Sequence, residues 1–232
     1  MTIKLVIFDF DGTIADTYPV FADSLNSLAI RHGFRQVAFD EQHKLRGMSA
    51  TEVIRELQIP LWKVPMVLSD FRRIMRQRID EIHPFAGIVN VLHAMQGYAE
   101  LAVATSNSID NVTAVLGGSL INRFAVLECG STMFGKSHRL RRILKKTRTD
   151  KSEAIYVGDE IRDAQAAEQV GVSFGAVAWG YTDIGALLRT NPTNVFTAPG
   201  ELLGLIRPES DSGLLSIPAV PRSALDELTG LN

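Results

Sequence analysis

Residues 5–8 read Leu-Val-Ile-Phe, and residues 9–13 follow at once as Asp-Phe-Asp-Gly-Thr. A short apolar run that stops at a glycine turn is the pattern of a strand buried on both faces. This one ends on Asp9 and Asp11, two residues apart and so on one side of an extended backbone. An ionised carboxylate without a partner is strongly disfavoured in such a place. The pair therefore implies a cation, a reaction or both, and it demands a fold that gathers other groups at that strand end.

Four further runs have the same character: Leu101–Ala104, Phe124–Leu127, Ala154–Val157 and Phe174–Ala178. Helical spacing lies between them, over Ile88–Met95, Ile109–Leu116, His138–Lys146 and Arg162–Val170. Such alternation predicts an α/β fold with a doubly wound parallel sheet. Ligands of such sheets bind at the carboxyl ends of the strands. Asp9, Thr105 and Asp159 all fall there.

The stretch from Asp16 to His83 breaks the alternation. Phe21, Leu25 and Leu28 mark one helix face, and Val53, Ile54 and Leu57 another. We expect residues 1–15 and 84–206 to form the α/β core and 16–83 a helical cap inserted after the first strand. Residues 207–232, rich in Pro, Ser and Gly, are expected to be a loosely held tail. The formal charge of -2 gives no reason to expect nucleic acid or a membrane surface as a partner. One cysteine, Cys129, excludes an internal disulfide and suits a reducing compartment, so a cytoplasmic setting is expected.

The strand-end residues carry the chemistry. A carboxylate such as Asp9 can attack phosphorus, and Asp11 can serve as general acid and base. Gly12 permits a tight turn, and Thr13 can hydrogen-bond to hold it. Thr105-Ser106-Asn107 offers hydroxyls and backbone N–H groups for a phosphate, although Asn107 or Ser108 equally fits a helix N-cap. Asp159 and Asp163 share a helix face and suit Mg²⁺. They also fit an N-cap and a first-turn acid. Lys136 can neutralise carboxylates and hold a phosphoryl oxygen. Asp9, Asp11, Asp159 and Asp163 carry four negative charges, and a phosphate dianion adds two. Each like-charged pair at 4 Å costs about 4 kcal/mol at an effective dielectric of 20. Such a site holds substrate only with Mg²⁺ and Lys136, and it favours Asp11 being protonated when substrate arrives.

The order Asp-x-Asp-Gly-Thr, strand-end Thr, Lys, then Gly-Asp-x-x-x-Asp resembles the haloacid dehalogenase superfamily, and within it the phosphoglycolate phosphatase branch. The resemblance runs from Lys4 to Trp179-Gly180-Tyr181 and supplies the strand order. It implies Asp9 as nucleophile, Asp11 as acid/base, Thr105 on the phosphate and Lys136 as charge stabiliser. It also implies Mg²⁺ on Asp9, the Asp11 carbonyl and Asp159, with Asp163 in support. Gly12, Thr13, Ser106 and Asn107 are the expected substrate contacts, and Arg46 is expected to meet the substrate's second polar group. The implied activity is Mg²⁺-dependent hydrolysis of a small phosphorylated metabolite, phosphoglycolate-like or a sugar phosphate, through an aspartyl phosphate. A phosphosugar mutase would use the same residues. Residues 130–137 also match a P-loop pattern, and a non-catalytic binding module is a further alternative. The first leaves Asp9, Asp11 and Asp163 unexplained, and the second does not account for every catalytic position being filled.

Overall fold

The computed structural model describes residues 2–38, 41–130 and 135–206. The expected tail, 207–232, and positions 131–134 of the P-loop-like stretch lie outside the described residues.

Six strands form one parallel sheet: β1 (Leu5–Phe8), β2 (Glu100–Ala104), β3 (Phe124–Glu128), β4 (Ala154–Gly158), β5 (Ser173–Val177) and β6 (Asn194–Phe196). Their order is β3-β2-β1-β4-β5-β6. Five coincide with the apolar runs. The sixth was not expected, because three residues are too few to show a period. It exists through pairing with β5, Gly175 opposite Asn194 and Val177 opposite Phe196.

Helices α1 (Tyr18–His32), α2 (Gln42–Leu45), α3 (Ala50–Glu56) and α4 (Val64–Gln77) come between β1 and β2. Then follow α5 (Ile88–Met95), α6 (Ile109–Ile121), α7 (Lys136–Thr147), α8 (Ile161–Val170) and α9 (Ile184–Leu188). α6 runs past its expected end at Leu116 but breaks its geometry at Gly117, where φ is 72°. No helix of the described residues is long and apolar enough to cross a membrane.

The two-residue period of β1 sorts its side chains onto two cores. Val6 and Phe8 pack with Ile88, Leu92, Met95, Val112 and Leu116 of α5 and α6. Leu5 and Ile7 pack with Leu140, Ile143, Ala164 and Ala167 of α7 and α8. Both faces are therefore covered, which is why the strands are apolar throughout. β1 pairs with β2 on one side and β4 on the other. The topology thus reverses beside β1 and opens a crevice at its carboxyl end.

The first four helices surround their own apolar cluster, including Leu25, Leu28, Phe34, Leu57 and Val67. Gly33 ends α1 in the left-handed region, φ 65°, a conformation with no Cβ penalty. A capping box between Ser49 and Glu52 starts α3. The chain enters and leaves this helical segment side by side. The Asp16 N–H donates to the His83 carbonyl and the Phe85 N–H to the Ile14 carbonyl, both at 2.9 Å.

Candidate active site

Asp9 follows β1, Thr105 follows β2, Asp159 follows β4, and Lys136 is the first residue of α7. The parallel sheet brings these positions to one edge. Asp9 is 1% exposed, Lys136 4%, and Asp159 and Asp163 not at all. Lys136 Nζ donates to Asp9 Oδ2 at 2.5 Å and also to Asp163 Oδ1. The other Asp9 oxygen accepts the Phe10 N–H at 2.8 Å. Tyr156, on β4, donates its hydroxyl to Asp163 Oδ1 at 2.9 Å, and the Glu160 N–H donates to Asp163 Oδ2 at 3.1 Å.

Asp159 is held from both sides. Thr13 Oγ1 donates to one oxygen at 2.8 Å, and the Tyr181 N–H donates to the other at 2.7 Å. Gly12 takes φ +76°, and a Cβ there would overlap the Asp159 carboxylate. A Cβ on Gly180 would also overlap Asp159, and one on Gly158 would lie 2.6 Å from Asp163 Oδ2. These glycines let backbone approach the acids closely.

Asp11 is half-buried and turned toward the β2 loop. Asn107 Nδ2 donates to both of its oxygens, at 2.9 and 3.2 Å. Asn107 is itself positioned. Its Oδ1 accepts from Asn111 Nδ2 at 2.9 Å and its N–H donates to Thr105 Oγ1 at 3.0 Å. Ser108 is the N-cap of α6, accepting the Asn111 N–H.

Electrostatics follow from burial. Asp9 is pushed up to about 7, chiefly by loss of water, against the attraction of Lys136. Burial also raises Asp11, which the Asn107 hydrogen bond partly offsets. Asp159 is raised well above the carboxylate range by burial and by the charges of Glu160, Asp163 and Asp9. Burial pulls Lys136 down, but the Asp163 and Asp9 charges more than compensate, and it stays cationic. Arg162 adds a second cation, paired with Glu160.

Asp9, Asp159 and Asp163 each offer an oxygen, and these atoms lie within 4.8 Å of one another. Two of these three buried carboxylates are driven toward protonation even with Lys136 in the cluster, so it is short of positive charge. The donors are hard oxygens. Both facts fit a hard divalent cation such as Mg²⁺.

The expected residues therefore fall into two groups. Asp9, Lys136, Asp159 and Asp163 form one buried cluster, with Thr13 bound to it. Asp11, Asn107 and Thr105 are chained together beside it, and Ser106 borders the adjoining cavity with Asp11 and Asn107. Arg46 has a partner that was not expected. Its guanidinium donates to the Gly180 and Tyr181 carbonyls at 2.6 and 3.2 Å and lies over the Tyr18 ring, 5.1 Å from its centroid. Tyr156, Gly180 and Tyr181 were not expected at the site, and Gly158 was given no role of its own. Gly158 precedes the Asp159 motif and was legible there. Tyr181 acts through its backbone N–H, which leaves no mark in a sequence.

The family profile described as haloacid dehalogenase-like hydrolase matches residues 6–177. The chain is 32% identical to a phosphoglycolate phosphatase of Agrobacterium fabrum over 197 residues, 78% of this chain and 82% of that one. It is 28% identical to a phosphoglycolate phosphatase of Synechococcus elongatus over 202 residues, 86% of this chain and 95% of that one. A crystal structure from Lactobacillus plantarum, provisionally called a phosphoglycolate phosphatase, shares the fold at a TM-score of 0.77 and 22% identity, covering 88% of this chain and 100% of that one. With side chains of four chain segments gathered at one sheet edge and the profile spanning most of its length, the chain belongs to the haloacid dehalogenase-like hydrolases, in the branch that resembles phosphoglycolate phosphatases.

Proposed function

We propose that the chain is a Mg²⁺-dependent phosphatase that hydrolyses small phosphate monoesters through a phosphorylated Asp9. The observation that carries this reading is the Asp9–Lys136–Asp163 chain of contacts beside Asp159, buried at the carboxyl edge of the sheet. Asp9, Asp159 and the Asp11 backbone carbonyl would hold Mg²⁺, with Asp163 in support. When bound, the ion supplies charge that lets these acids ionise together and accept a phosphate dianion.

Asp9 attacks phosphorus, forming an O–P bond as the bond to the alcohol breaks. Asp11 gives its proton to the departing oxygen. The raised affinity of Asp11 for its proton suits that task. Water then attacks the phosphoaspartate, and Asp11 takes the water's proton. Phosphate leaves and the Asp9 carboxylate is regenerated. Lys136 balances charge on Asp9 and on the phosphoryl oxygens, while Thr105, Ser106 and the backbone of that loop cradle them. Asn107 keeps Asp11 aimed at the leaving group.

Residues 16–83 act as a cap. Their paired entry and exit, Asp16 with His83 and Ile14 with Phe85, form a natural hinge. Arg46 fastens the cap shut by gripping the loop that also holds Asp159. Phosphoglycolate, the substrate named for the relatives, and sugar phosphates are the first candidates. The test is a phosphate-ester panel run with Mg²⁺ and with chelator, on the protein and on Asp9→Asn. Turnover should need the ion and fall at least about 10³-fold in the variant. Turnover that survives either loss would remove the proposal.

A further inference from the structure

We propose that the leaving alcohol is apolar, an aliphatic or aromatic group, and that it lies in a cavity hollowed out of the helical segment. This rests on the phosphatase reading but departs from the phosphoglycolate and sugar phosphates named above as its first candidates.

The cavity has a volume of about 260 Å³ and opens on Asp11, Ser106 and Asn107. From there it runs between α1, α3 and α4, walled by Phe21, Leu28, Val53, Ile54, Leu68 and Phe71. In a packed layer of helices such side chains interdigitate and exclude space. Here they surround it. α3 buries no side chain at all, and Val53, Ile54, Leu68, Phe21 and Phe71 are each only half-buried. Glu160, Tyr181 and Thr182 also border it, but most of its lining is hydrocarbon, which favours an apolar occupant.

Position decides what enters. Asp11 protonates the leaving oxygen, so the alcohol must depart on the side where Asp11 lies, and the cavity opens there. A carboxylate or a ring of hydroxyls in this space would need polar partners. Of the cations on its border, Arg46 donates to the Gly180 and Tyr181 carbonyls and Arg162 is paired with Glu160. Arg72 also borders the cavity, and phosphoglycolate therefore belongs in the test as the competing substrate. The walls suit hydrocarbon, and binding energy from that remote part can be used in the transition state.

The test is kcat/KM for n-alkyl phosphates from ethyl to octyl, with phosphoglycolate and glucose 6-phosphate, using the full chain and Mg²⁺. The expected result is a rise of about fourfold per CH₂, levelling once the cavity is full, with the longer esters above phosphoglycolate. Ile54→Trp, which fills the cavity, should lower octyl relative to ethyl phosphate by more than tenfold. Circular dichroism melting shows whether that variant folds, and the chain-length series on the unmodified protein stands without it. A flat series, or phosphoglycolate turned over faster than every alkyl ester, overturns the inference and leaves the phosphatase reading intact. No Mg²⁺-dependent turnover of any ester overturns both.

Discussion

Asp9 shows how one buried carboxylate ties stability to acidity. Its proton affinity rises from 3.8 to about 7 on folding, mainly through loss of water. The folded, metal-free chain therefore binds that proton more tightly than the unfolded chain. The resulting stabilisation is complete below about pH 4 and is lost as pH rises toward 7. Its full size is of the order of a few kcal/mol. Asp9→Asn removes the titration. In chelator, the melting temperature of the native protein should fall relative to that of Asp9→Asn between pH 5 and 8. A gap that stays constant with pH would show that Asp9 ionises in the fold as easily as in water. The burial of this acid at a strand end was legible in the sequence, where two acids after an apolar run call for a cation or a reaction. The partners of Asp159 were legible only in part. Thr13 could be read from its motif, whereas the Tyr181 N–H belongs to a residue 22 positions away in the chain and has no side-chain signature.

At the scale of elements, the loop after β5 joins the core to the helical segment. Its Tyr181 N–H holds Asp159, its Gly180 and Tyr181 carbonyls hold Arg46, and its Asp183 N–H returns to the Arg46 carbonyl at 2.6 Å. The Tyr181 ring meets Tyr18 and Phe21 of α1 edge-on, at 5.3 and 5.6 Å. On the proposed function, closing the cap and seating Asp159 would be one event. Arg46→Ala should lower kcat/KM about equally for all esters, on the order of tenfold, from the loss of two charge-assisted bonds on closure. A loss confined to substrates with a second anionic group would return Arg46 to the substrate-binding role expected from the sequence. That expectation put Arg46 in the insert facing the substrate, whereas its guanidinium donates to the Gly180 and Tyr181 carbonyls. It had no means of seeing two backbone carbonyls as competitors for the guanidinium.

Across the whole molecule, the candidate metal site joins the end of β1 to the turn from β4 into α8, two segments far apart in the chain. A cation bound there stabilises the folded form alone. At a hundredfold excess over its Kd, Mg²⁺ should add about 2.7 kcal/mol, or roughly 5–10 °C in melting temperature for a chain of this size. Asp159→Asn should abolish most of that shift. An unchanged melting temperature across the Mg²⁺ titration would mean that the three acids do not hold the ion. The primary sequence by itself determined five of the strands, the doubly wound class, the helical insert and the acids that meet at the sheet edge. Each depends on local pattern, either the side-chain period or an unusual charge at a buried end. Tertiary structure alone decided the β6 edge, the grip of Arg46 on the Gly180–Tyr181 backbone and the hollow between α1, α3 and α4. Those features arise from backbone groups and empty space, and neither is written in the identity of any residue.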